Sequence, residues 1–356
     1  MKDPSFYNTR SERCDLKTRQ IVDELPRFAA EFFVGVAQRT SSLTRLNYAH
    51  DLRIFFDFLS KVVFKGKVAL DEITLNDMQK LQAFDIERYL EYLSAYTFRN
   101  VKSNCNDRAK ERKLCSVRSF FKYFYHKEKL LENITAKVSL PKIHSKPIVR
   151  LEVDEVVKLL DGVSDTTNKP NKQLAYLEIT QKRDMAILTI LLGTGMRISE
   201  CIGLNKSDVD FNLNALSVTR KGGSKSILYF GDEVRDALQE YLGWLRVQQE
   251  EQTKFGKNIK DFNALFLSCQ GKRISLRALQ NMVEKYAKQT SPLKRISPHK
   301  LRSTYGTNLY RETGDIYVVA DVLGHRDVNT TKKHYADMSD EVRRGAARKV
   351  RLREKR

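Results

Sequence analysis

Residues 297–307 read SPHKLRSTYGT, and the meaning of the whole chain turns on them. Ser297 is a good helix N-cap, Pro298 suits the first helical position, and Gly314 is placed to stop the helix. This predicts a helix with His299 and Arg302 three residues apart in its first turn, on one face. Free backbone N–H groups and the positive end of the helix dipole favour an anion there. An arginine fork at this place can hold two phosphate oxygens at once. The stretch therefore reads as half of a phosphate clamp.

Upstream, Arg197 follows the apolar run MAILTILLGTG (185–195) and precedes ISECIGL, so a turn fixes a second guanidinium at the mouth of a core. Downstream, His325 follows the stop signal LG at the end of DIYVVADVLG (315–324). Tyr335 ends a short run, NTTKKHYADM (329–338), among Lys332, Lys333 and His334. A phenol becomes a nucleophile when nearby positive charge favours the phenolate. Attack on a phosphodiester would give a phosphotyrosine linkage and keep the bond available for religation, with no nucleotide or metal needed. Lys221 stands beside Gly222 and Gly223 at the tip of a hairpin, ALSVTRKGGSKSILYF (215–230). An ammonium there can donate a proton to a departing oxygen, which a guanidinium cannot do. Lys225 on the returning strand is the competing candidate.

The chain around these residues points to a polyanion. It has 356 residues, 41% hydrophobic, enough for two ordinary domains with sizeable cores. Lys and Arg number 64 against 44 Asp and Glu, a formal charge of +20. Double-stranded DNA is the first candidate partner. The five cysteines are scattered, odd in number and without C-x-x-C spacing, which reads as reduced thiols of a cytoplasmic protein without zinc; with DNA as partner, the expected place is the nucleoid. No run is long and apolar enough to span a membrane, and the first residues carry no apolar signal segment.

Five segments are expected, their helices and the boundary near Pro141 from composition and period, and their roles and outer bounds from the family resemblance given below. Residues 1–25 are a polar lead-in, poorly ordered or a short helix. Residues 26–140 are a helical DNA-binding domain with helices in 41–62, 84–96 and 106–129. The last puts Leu114, Val117, Phe120, Phe121 and Phe124 on one face and leaves Arg108, Arg112, Arg118 and Lys122 for a DNA backbone. Residues 141–150, in a stretch marked by Pro141 and Pro147, form the linker. Residues 151–338 form the catalytic domain, with helices in 151–163, 182–195, 232–249 and 275–289, a loop at 165–173, and a short strand ALFLS (264–268). Residues 339–356 are a basic tail.

With these motifs in order, the chain resembles the tyrosine recombinases, most closely the Xer-like and integrase branch. TGMRISE (194–200) resembles the first arginine box, RKGGSKS (220–226) the lysine hairpin, HKLRSTYGT (299–307) the second box, LGHRDVNTT (323–331) the third, and KKHYADM (332–338) the nucleophile segment. The resemblance implies a mainly α fold with a small β component: a C-shaped, two-domain clamp of a helical core-binding domain and an α+β catalytic domain. It implies Tyr335 as nucleophile, Lys221 as leaving-group acid, Arg197, Arg302 and His325 as stabilisers of developing charge, and His299 as an aid to proton transfer. It further implies a 3′-phosphotyrosyl intermediate, a Holliday junction, and four protomers on two sites with the tail docked on a neighbour. A type IB topoisomerase and a catalytically silent DNA-binding protein of this fold are the competing expectations. Two departures stand out: Arg220 replaces the glycine usual before the hairpin lysine, and Ser303 stands where many members have a second histidine. The chain also carries extra sequence at 65–81 and 164–180.

Overall fold

The computed structural model describes residues 6–140, 150–165, 171–220, 223–291, 294, 296–324 and 328. The chain divides into two compact units, Met1–Lys146 and Pro147–Arg356. As expected, it is mainly helical with few strands.

The first unit contains α1 (Phe6–Val22), α2 (Ala29–Gly35), α3 (Ser42–Phe58), α4 (Leu75–Gln79), α5 (Ala83–Tyr92) and α6 (Asp107–His126). Ser41 caps α3 by accepting from the Thr44 N–H, and Asn106 caps α6 by accepting from Ala109. The apolar period places Ala49, Leu52, Phe55 and Phe56 of α3 against Leu114, Val117, Phe120, Phe121 and Phe124 of α6, all essentially without exposed surface. Their rings meet edge to face or tilted, as at Phe120–Phe124 with centroids 4.9 Å apart. Each such phenylalanine contributes about 1.5–3 kcal/mol by leaving water. The polar lead-in is a full helix: Asp15 of α1 binds Arg45 of α3 at 2.7 Å, and Ile21 enters the same core. Its mixed composition hides a short apolar edge behind a mostly charged surface. A hairpin not foreseen in the sequence, β1 (Tyr96–Phe98) and β2 (Val101–Ser103), turns through Arg99 and Asn100. Both have positive φ, 49° and 63°, as a two-residue turn of this hand requires.

The second unit contains α7 (Val153–Ser164), α8 (Asn171–Thr194), α9 (Ile198–Gly203), β3 (Val209–Asp210), β4 (Ala215–Thr219), β5 (Lys225–Tyr229), α10 (Asp232–Glu250), α11 (Leu276–Thr290), α12 (Pro298–Thr313) and α13 (Ile316–Leu323). α8 runs through the middle of its core, with Ala186, Ile187, Leu188 and Ile190 wholly buried. It begins at Asn171, well before the apolar run that announced it, so part of the expected loop at 165–173 is helix. The expected hairpin is present, with β4 antiparallel to β5 and Thr219 opposite Lys225; β3 adds a third strand on the other side of β4. ALFLS does not form a strand. Ala264 and Leu267 make only isolated antiparallel bridges, to Asn205 and Arg273, because the segment changes partner after one pair and bonds first to Leu204 and then to Ile274.

Candidate active site

α12 starts where SPHKLRSTYGT says it should. Ser297 is extended at the N-cap and Pro298 opens the helix, although the Ser297 side chain makes no capping bond. Gly314 ends the helix in the left-handed conformation, φ 66°. His299 lies exposed in the first turn, and Arg302, one turn on, is 3% exposed. The Arg302 guanidinium donates through Nη1 to the Gly195 carbonyl at 2.7 Å and through Nη2 to the Leu323 carbonyl. It thereby joins the end of α8 to the end of α13.

Arg197 is the N-cap of α9. Its backbone N–H donates to Glu200 Oε2 at 2.8 Å and its Nη1 to Glu200 Oε1 at 2.9 Å, so one carboxylate fixes both the turn and the side chain. Its Nη2 reaches the Gly324 carbonyl at 3.2 Å. Arg197 and Arg302 therefore converge on adjacent carbonyls at the end of α13, one residue before His325 in the chain. A third guanidinium, Arg220 at the end of β4, reaches the same place: Nη2 donates to Val322 O at 3.1 Å, and Nη1 lies 3.3 Å from Leu323 O and 3.4 Å from Glu200 Oε2. Three separated boxes meet on one helix end.

Two glycines allow this approach. At Gly195, φ 61°, an added Cβ would sit 2.3 Å from the Tyr305 ring and 2.9 Å from Leu323. At Gly324, φ 62°, it would sit 2.9 Å from Arg220 Cζ. The neighbouring thiol and phenol are kept protonated: burial, with the Glu200 charge adding to it, pushes the Cys201 thiol up, and burial pushes the Tyr305 phenol up. Lys221, His325 and Tyr335 lie outside the described residues. No group of three or more His, Cys, Asp or Glu among the described residues is placed to hold a metal ion.

A model of the phage integrase family matches residues 150–341, more than half of the chain. The chain belongs to the phage integrase family. A relative named tyrosine recombinase XerC, from Caldanaerobacter subterraneus subsp. tengcongensis, is 34% identical over 327 residues, covering 89% of this chain and 84% of that one. The fold is similar to that of XerH site-specific recombinase bound to difH substrate, with a TM-score of 0.60 at 19% identity, covering 88% of this chain and 81% of that one. It is also similar to a lambda integrase tetramer bound to a Holliday junction, with a TM-score of 0.57 at 14% identity, covering 86% and 76%. The Xer-like expectation is borne out, and the topoisomerase and silent-protein alternatives gain no support.

In this integrase-family chain the expected DNA-facing cations differ in their surroundings. Arg108 and Lys122 of α6 are exposed and pair with no other described residue, and Lys225 is exposed at the start of β5. Arg112 instead grips Asp51 of α3 through Nη1 and Nη2 at 2.5 and 2.8 Å. Arg118 donates to the Val138 carbonyl, bracing the segment that leads towards the linker. Sequence reasoning missed Glu200 and the part played by Arg220. Glu200 could have been found, since an acid three residues after the helix-opening Arg197 has capping-box spacing. Among the described residues no helix is long and apolar enough to cross a membrane.

Proposed function

We propose that the chain is a site-specific recombinase acting on double-stranded DNA, with the reaction centred on the end of α13. The Tyr335 phenol gives up its proton with His299 assisting the transfer, its oxygen bonds to phosphorus as the P–O5′ bond breaks, and Lys221 gives a proton to the departing 5′ oxygen. The products are a 3′-phosphotyrosyl end and a free 5′-hydroxyl. Arg197, Arg302 and His325 stabilise the charge that builds on the non-bridging oxygens, and His299 assists proton transfer. Exchange of 5′-hydroxyls between two duplexes gives a Holliday junction, and the reverse attack on each phosphotyrosine restores the backbone. Four protomers on two sites carry this out, with the segment 339–356 docking on a neighbour. The segments 26–140, 141–150 and 151–338 act as core-binding domain, linker and catalytic domain, and Arg108, Lys122 and Lys225 contact DNA phosphates.

The observation that carries this reading is the convergence of Arg197 and Arg302 on the Leu323 and Gly324 carbonyls, directly before His325 in the chain and with His299 one turn from Arg302. It is tested with a pool of nicked duplexes of randomised sequence, from which covalent protein–DNA adducts are recovered on denaturing gels. The adduct forms with the intact protein and disappears with Tyr335→Phe. An adduct that survives this substitution overturns the assignment.

A further inference from the structure

Arg220 is the residue at which this chain departs from the family's usual glycine, and its side chain is held by several partners. It closes β4 and begins the turn: its N–H donates to Ser224 O at 2.8 Å, and its carbonyl accepts from Gly223 N at 3.0 Å. Its side chain is 10% exposed and spans three acceptors, Val322 O, Leu323 O and Glu200 Oε2. The fit is close on the far side as well, where only a glycine at 324 leaves room for the guanidinium.

The consequence concerns Glu200. Its carboxylate is 2% exposed and is shared by two guanidiniums, Arg197 on Oε1 and Arg220 on Oε2. A buried negative charge facing Arg197 alone would cancel that arginine and draw it inward. With Arg220 also present, Arg197, Glu200 and Arg220 together keep one positive charge. Arg197 is the more open of the two arginines, at 35% exposure against 10%.

We propose that Arg220 is a positioning residue for Arg197: by taking part of Glu200 and bracing the end of α13, it leaves Arg197 charged and correctly aimed at a non-bridging phosphate oxygen. This rests on the strand-transfer reading above. A small residue at 220 would leave Glu200 to Arg197, so in this chain the arginine is part of how the first box works.

The test compares Arg220→Gln and Arg220→Lys with the intact protein in single-turnover adduct formation. The probe is the nicked duplex recovered by adduct selection, made with either a phosphodiester or a methylphosphonate at the cleaved position. Methylphosphonate lacks the non-bridging negative charge that Arg197 meets. Arg220→Gln slows cleavage of the phosphodiester roughly 10- to 100-fold and of the methylphosphonate less than about threefold, while Arg220→Lys recovers most of the phosphodiester rate. Equal losses on both duplexes, or no loss in a Gln variant that melts at the parent temperature, overturn the proposal. Should the Gln variant fail to fold, Arg220→Met, which also removes the charge but keeps an apolar stem, goes through the same comparison on the two duplexes and decides by the same outcomes. Failure of the intact protein to form an adduct, or an adduct that persists in Tyr335→Phe, instead removes the strand-transfer reading itself.

Discussion

Asp51 has no exposed surface and collects four donors: Arg112 through two nitrogens, the Lys113 ammonium at 3.0 Å and the Ser116 hydroxyl at 2.8 Å. Lys113 is itself nearly buried, with a side chain 7% exposed, so the pair cannot fall back on water. Asp51→Ala leaves that ammonium in the core, and urea unfolding should show a loss of about 3–5 kcal/mol; a loss under about 1 kcal/mol would mean the cluster behaves like a surface pair. The sequence shows a basic helix face but not this division of labour, because Asp51 lies sixty-one residues from Arg112. Arg197 and Arg302 were legible for a local reason, since helix caps and glycines lie beside each of them. Arg220 was visible only as an oddity: its partners Glu200, Val322 and Leu323 are brought to it by the fold, and nothing in RKGGSKS names them.

At the scale of elements, capping chemistry was readable and helix length was not. The starts of α3, α6 and α12 and the glycine stops of α12 and α13 follow from residues next to each boundary. α8 defied this, because its first turns carry polar residues and only its later turns show the apolar run of a core helix. α7 supports a prediction about pH. Glu155 closes the capping box of α7 on the Glu152 N–H at 2.8 Å and binds Lys294, beyond α11, at 2.6 Å. The Lys294 hydrogen bond, outweighing desolvation, holds the Glu155 carboxyl below its ordinary value of 4.5. Its stabilising effect is therefore complete above that value and is lost as the pH falls through the lowered folded value. Melting temperatures recorded from about pH 6 down to about pH 3 should fall less steeply for Glu155→Gln than for the parent, and parallel curves would remove Glu155 from the account.

For the molecule as a whole, the charge of +20 matters more than any one contact. If several cations track phosphates, DNA affinity falls by about a thousandfold over a fourfold rise in salt. Arg108→Ala or Lys122→Ala should each reduce the slope of log affinity against log salt by about one, and an unchanged slope in filter binding would take that residue off the backbone. In the proposed reaction the same polyanion comes close to the end of α13, where a helix normally shows its negative pole. Here every carbonyl of that last turn has a donor. Ala320 and Asp321 accept from the Gly324 N–H, Val322 and Leu323 from Arg220, Leu323 also from Arg302, and Gly324 from Arg197. The pole that would push a phosphodiester away is thus turned inward and neutralised, and the potential presented to an approaching strand is that of the guanidiniums rather than of the helix.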